Sequence, residues 1–308
     1  MSKVSVLIPS RNEELMAKTV DDVFANATGE IEVIVVLDGP TEYPLPKARP
    51  NLIFIDRPIA EGMRPAINSA AKVATGKYLM KLDAHCALAK GFDEVLKADC
   101  KNDWVVSVRR YSLERYLWKP RLDRLVDYHY LSCPWTRNNA GCFMMQCCPW
   151  ISRTKERMDI PIDDTLSFQG SLWFMEADYF NNYLHGMNLV GYKTFGAEQQ
   201  EIGFKVWLGG GRVIINKKTW YAHLHKPSKH RGYPMSMNKM LQSYRYAARY
   251  WTNNEWEDRV HDFDWLIDKF WPLPTKDTLV RGEKYYWPEN WKGYYEGKLV
   301  ANTESGYE

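Results

Sequence analysis

Asp83 and His85 stand two residues apart in Leu82-Asp83-Ala84-His85-Cys86, directly after the apolar run Tyr78–Leu82. A carboxylate and an imidazole are side chains that ligate divalent cations, and an extended strand turns residues two apart to one side. A strand running through the pair would therefore offer two ligands to one ion. The plain alternative is a strand end in which Asp83 caps a turn and His85 faces solvent. Asp38 closes a second apolar run, Ile31–Leu37, and is followed by Gly39. An acid at that place can contact a nucleotide base or ribose, or simply cap its turn.

These residues need a scaffold, and the chain spells one out. Val4–Pro9, Ile31–Gly39, Leu52–Asp56, Tyr78–Leu82 and Trp104–Val108 read as strands rich in β-branched and apolar residues. Between them, the Leu15–Phe24, Gly62–Thr75 and Phe92–Cys100 stretches have helical character. In the first, Ser10 or Asn12 is a candidate N-cap, with Glu13 and Glu14 in the opening turn. Alternating strands and helices, with strands apolar on both faces, predict an α/β fold with a mostly parallel sheet covered by helices. In such sheets ligands lie beyond the carboxyl ends of the strands, where Asp38 and Asp83 fall.

Further along, Arg109–Thr136 is expected to be partly helical, and residues 133–169 carry no pattern that assigns them. Gly170–Met175 reads as a strand and Glu176–Leu184 as a helix. Gly196–Leu208 reads as a helix with Glu198 and Glu201 in its first turn, stopped by Gly209-Gly210-Gly211. Arg212–Ile215 is a further strand, and Trp220–Lys226 carries His223 and His225 back to the sheet. Two domains are expected: residues 1–226, and an aromatic-rich helical appendage, residues 227–308, on the acceptor side. It opens on the basic turn Pro227–Pro234, which contains Lys229, His230 and Arg231.

A chain of 308 residues can bury a full core, and its net charge of +3 neither demands nor excludes a polyanion. Thirteen Trp and nineteen Tyr suit sites that stack rings, although most such residues serve as core. The six Cys show no zinc spacing, which favours reduced thiols in a cytoplasm-like compartment. No apolar run is long enough for a membrane span, and no basic, apolar leader opens the chain.

Several ordered segments resemble the GT-A glycosyltransferases of the family 2 type: Val4–Pro9 with Asn12-Glu13, Leu37-Asp38-Gly39, Leu82–Cys86, and Phe195–Glu198 through Trp207–Gly211. Leu82–Cys86 and the Phe195–Gly211 stretch are similar, more narrowly, to polypeptide N-acetylgalactosaminyltransferases, as are Gly170–Trp173 and His223–Lys226. The resemblance implies a Rossmann-like GT-A catalytic domain and retaining transfer from a UDP-sugar with Mn2+, or Mg2+ in its place. It implies Asp38, Arg64 and Gly170 on the donor and Asp83, His85 and His223 on the metal. It further implies Glu198 near the transferred sugar or acceptor hydroxyl, and Lys226 or Arg231 on the diphosphate. Phe195 and Ala197 depart from the family's Trp and Gly, which bears on the sugar pocket.

The acceptor stays open. Hydroxymethylated pyrimidine in DNA, as in viral (bacteriophage) DNA modification, is the leading expectation. The mildly basic chain and its aromatic C-terminal part would suit a phosphate backbone and a flipped base. A polysaccharide or lipid-linked glycan and peptide Ser/Thr are the alternatives. Two other classes are a non-catalytic sugar-nucleotide-binding module and a nucleotidyltransferase.

Overall fold

The computed structural model describes residues 2–135, 144–193, 195–226, 231–234 and 236–292. Lys229, His230 and Cys142 lie outside the described residues. The first half alternates as expected: β1 (Val4–Ser10), α1 (Met16–Asn26), β2 (Ile31–Asp38), β3 (Leu52–Arg57), α2 (Met63–Val73) and β4 (Tyr78–Leu82). There follow β5 (Cys86–Leu88), α3 (Phe92–Asp99), β6 (Trp104–Glu114), β7 (Lys119–Val126), β8 (His129–Leu131) and β9 (Cys147–Pro149). The rest comprises α4 (Ile151–Glu156), β10 (Ile162–Asp164), β11 (Leu172–Glu176), a π-turn (Tyr179–Tyr183), α5 (Glu198–Leu208), β12 (Arg212–His223), α6 (Met237–Thr252) and α7 (Phe263–Phe270).

One sheet runs β10-β12-β6-β11-β4-β1-β2-β3, with β5 on β12 and β7 on β6. The β4-β1-β2-β3 half is parallel, as its continuous apolar strands require. Strand alternation divides the core. Val4, Val6 and Ile8 of β1 pack with Met16 and Val20 of α1 and with Phe92 of α3. Leu7 faces the other way, with Ala66 and Ile67 of α2 and Trp207 of α5. That second core runs on without a break into Trp251, Phe263, Phe270, Trp287 and Trp291. Residues beyond 227 thus share the core of the sheet, and most of their aromatic side chains are spent on it.

Several expectations are corrected. The first helix begins at Met16 with Leu15 at its N-cap and no acid in its first turn; Glu13 and Glu14 lie in the turn before it. Asn12 takes a left-handed φ of 42° there, and the Glu13 side chain folds inward. The Arg109–Thr136 stretch is expected to be partly helical, but its residues 109–126 form a hairpin: β6 continues to Glu114 and pairs antiparallel with β7. Here β-pairing overrides the helical propensity of its Arg and Leu residues. Arg212–Ile215 and Trp220–His223 belong to a single strand, β12, bulged between Asn216 and Trp220. A helix is expected over Glu255–Phe270, and the structure confines it to Phe263–Phe270.

Candidate active site

β4 ends at Leu82, so Asp83-Ala84-His85 is a turn between β4 and β5 and not a continued strand. The two side chains still converge, because each end of the turn is tied down. The Asp83 amide donates to the Ser171 carbonyl at 2.8 Å, and the His85 carbonyl accepts from the Leu224 amide at 3.1 Å. β12 supplies the third residue. It pairs antiparallel with β5 so that His223 stands opposite Cys86. That register sets His223 Nε2 3.2 Å from Asp83 Oδ2 and 3.1 Å from His85 Nε2. Asp83, His85 and His223 are the one group of three or more potential metal ligands found among the described residues.

The donor set fits a divalent cation. Ligands about 2.1 Å from one ion and at right angles to each other stand about 3 Å apart, close to the two separations seen here. Two imidazole nitrogens facing each other at 3.1 Å cannot both use their lone pairs without a shared cation or a proton between them. His223 is buried, which pushes its pKa down; Asp83 opposes that and His85 adds to it, for a value of about 3. The imidazole is therefore neutral and able to ligate. Asp83 is held well below the usual carboxylate range: burial works against this, but Lys81, His223 and His85 outweigh it. Lys81, itself buried, pairs with Asp83 and donates to the Gly170 carbonyl at 2.6 Å.

A cavity of about 180 Å³ opens over this group. Asp38, Met63, Arg11, Glu13, Lys226, Arg231 and Tyr233 line it together with the three candidate ligands. The short strap 231–234 is held against the β1–α1 turn, for Asn12 Nδ2 donates to the Gly232 carbonyl at 2.9 Å and Arg11 lies over the Tyr233 ring. Asp38 lines the cavity, but its two oxygens also accept the Glu61 and Gly62 amides at 2.8 and 2.9 Å, fixing the start of α2. Lys226 Nζ reaches both Glu13 oxygens at 2.6 and 2.5 Å. Arg231 Nη1 donates to the Tyr233 hydroxyl at 3.3 Å.

Three expected donor or acceptor residues do not line the cavity. Arg64 is buried; its guanidinium pairs with Glu201, donates to the Gly196 and Asn188 carbonyls at 3.2 Å and lies on the Tyr192 ring. Gly170 faces Gln199, whose side chain a Cβ would meet at 2.9 Å. Glu198 is buried at the start of α5, and its Oε1 accepts the Gly196 amide at 2.9 Å. Ala197, beside it, sits at a left-handed φ of 63°, a conformation in which a glycine is free of strain.

Glu13, Lys81 and His225 were missed as site residues. Glu13 Oε2 lies 3.1 Å from His85 Nδ1. Burial raises its pKa, but His85 and Lys226 reverse this and bring it to about 2. His225 lines the cavity, and its Nε2 is 2.7 Å from Arg110 Nη1. Only for Glu13 did the sequence hold a hint, in the Asn12-Glu13 pair that follows β1.

A profile of the family described as Glycosyl transferase family 2 matches residues 5–181, more than half of the chain. The chain is 25% identical over 261 residues to Polypeptide N-acetylgalactosaminyltransferase 3 of Drosophila melanogaster, covering 71% of this chain and 37% of that protein. It is 26% identical over 203 residues to Polypeptide N-acetylgalactosaminyltransferase 5 of Caenorhabditis elegans, covering 63% and 30%. The chain thus spans little more than a third, at most, of the length of these two relatives. A crystal structure of GalNAc-T7 with UDP, GalNAc and Mn2+ superposes with a TM-score of 0.63 at 18% identity, covering 82% of this chain and 49% of that one. The shared architecture is the GT-A fold, and the chain belongs to glycosyl transferase family 2.

Proposed function

We infer that this chain transfers a sugar from a UDP-sugar to an acceptor hydroxyl, with a divalent cation held by Asp83, His85 and His223. The observation that carries the reading is the meeting of those three side chains, from the β4–β5 turn and the end of β12, in a cavity that Lys226 and Arg231 also line. A cation bound there supplies Lewis-acid stabilisation to a departing nucleoside diphosphate. Two imidazoles and one carboxylate favour Mn2+ over Mg2+, which prefers oxygen ligands. Lys81 keeps Asp83 ionised. Lys226 and Arg231 are placed to meet the negative charge that develops on the diphosphate. Phe195, Tyr233 and Pro234 also line the cavity. Asp38 remains the candidate for the nucleotide, and the retaining course is carried over from the family resemblance.

For the acceptor, peptide Ser or Thr is the reading that the relatives' names favour. A DNA acceptor finds no support. Of the C-terminal aromatic residues, Trp256, Phe263, Phe270, Trp287 and Trp291 are buried in the core, although Tyr286 is exposed. Among the described residues no helix is long and apolar enough to cross a membrane. Cys86, Cys100, Cys147 and Cys148 are free thiols, consistent with a reducing compartment such as a bacterial or virus-infected cytoplasm.

The test is UDP release from a panel of UDP-sugars with Mn2+, with and without EDTA. Mass spectrometry of Ser/Thr peptides, glycans and hydroxymethylcytosine duplex would follow. EDTA-sensitive release and a peptide gaining one sugar are expected. Release from no donor would return the chain to the sugar-nucleotide-binding class. A mass gain on the duplex alone would reinstate DNA.

A further inference from the structure

We propose that Glu13 is a positioning residue that fixes the tautomer of His85, so that its Nε2 presents a lone pair to the metal site, and that holds Lys226 in the cavity lining. This rests on the metal reading above and goes beyond it in naming what prepares one ligand. An imidazole ligates only through an unprotonated nitrogen, and the partner of the other nitrogen decides which one that is. His85 Nδ1 lies 3.1 Å from Glu13 Oε2. An ionised carboxylate can only accept a hydrogen bond, so the proton belongs on Nδ1 and Nε2 is left bare. His85 Nε2 is the atom that faces His223 Nε2 at 3.1 Å.

The two histidines differ in this respect. His223 Nδ1 is buried and has no hydrogen-bond partner among the described residues. Glu13 therefore prepares one of the two imidazoles and not the other. The carboxylate is held rigidly for this work. It is 6% exposed, its Oε1 accepts the Leu15 amide at 3.1 Å, and both oxygens take Lys226 Nζ at 2.6 and 2.5 Å. Lys226 lies three residues after the end of β12. One carboxylate from the β1–α1 turn thus ties a metal ligand to the cation best placed for the diphosphate.

The two contacts predict different signatures. Loss of an outer partner of a metal-bound histidine weakens metal binding about 10–100-fold. E13A should therefore weaken Mn2+ binding by about that factor in calorimetry and also raise the donor KM. E13Q, whose amide oxygen can still accept from Nδ1, should fall between wild type and E13A. K226A should raise the donor KM but leave Mn2+ affinity within about twofold, because His85 keeps its partner. Thermal melts establish that each variant is folded. Nitrogen-15 histidine spectra of the metal-free protein give an independent readout: wild-type His85 is expected as the Nδ1–H tautomer.

Wild type that binds Mn2+, with E13A and E13Q binding it equally well, overturns the role of Glu13 and leaves the metal site standing. So does His85 found as the Nε2–H tautomer in the folded wild type. Wild type that binds no Mn2+ overturns the metal reading itself. Should E13A fail to fold, E13Q and the wild-type tautomer still decide the matter.

Discussion

His85 and His223 face each other Nε2 to Nε2 at 3.1 Å although 138 residues separate them along the chain. The antiparallel pairing of β5 with β12 creates this relationship by placing His223 opposite Cys86. Asp83 Oδ2, 3.2 Å from His223 Nε2, completes the group. If these atoms share a cation, removing any one leaves two ligands. D83A and H223A should each weaken Mn2+ binding by more than the about 100-fold upper range for an outer-sphere loss, and abolish UDP release. Calorimetry and a UDP-release assay check this. H223A with a manganese titration equal to wild type would make His223 an ordinary buried strand-end residue.

Arg64 separates structure from catalysis. Its guanidinium and the Glu201 carboxylate are almost wholly buried, at 2% and 0% exposed. Breaking a buried pair by removing one partner costs about 3–5 kcal/mol. R64A should lose about that much stability in chemical denaturation, and R64K should recover only part of it, since Lys lacks the fork that reaches both Glu201 and the Gly196 carbonyl. An R64A protein of normal stability and raised donor KM would restore Arg64 to the donor site.

Arg231 should act on the reaction and not on the fold. Removing one donor to charge that develops in the transition state costs about 100-fold or more in kcat. R231A is expected to lower kcat by about that factor with an unchanged melting temperature, read by UDP release and a thermal scan. Unchanged kinetics would assign the strap's cation to solvent.

The acid limb of stability should come from buried histidine. Burial, with the nearby Arg110 and His225, pushes the His129 pKa well below its ordinary value, and His223 is lowered to about 3. Both are neutral in the fold but take up protons in the unfolded chain near pH 6.5. The unfolded state therefore binds more protons below that pH, and stability is lost as pH falls. Glu13 and Asp83 have lowered pKa values and add to the loss only below about pH 4. For metal-free protein the melting temperature should drop by several degrees between pH 7 and pH 5. H129Q should flatten the slope. A melting temperature independent of pH over that window would refute the assignment.

Much of the parallel half of the sheet was legible because its strands, from Val4 to Leu82, are apolar on both faces and separated by clear helical periods. Asp38, Asp83 and His85 were legible for the same reason, lying at the ends of those strands. The middle was not. Residues 109–126 form a hairpin whose exposed side chains carry little apolar alternation. The short β8 and β9 exist only because each completes the other. Glu13 was misread as a helix-opening acid because its function comes from partners 72 and 213 residues away.

By itself the sequence determined the fold class and the chemical types at the site, since burial pattern and ligand chemistry are local properties of residues. Only the tertiary structure decided which side chains meet. It turned Arg64 and Glu198 away from the cavity and drew Glu13 and Lys81 into the site. The pairing register of β5 and β12 brings His223 to the Asp83–His85 turn, and that register is set by strand packing across the whole sheet.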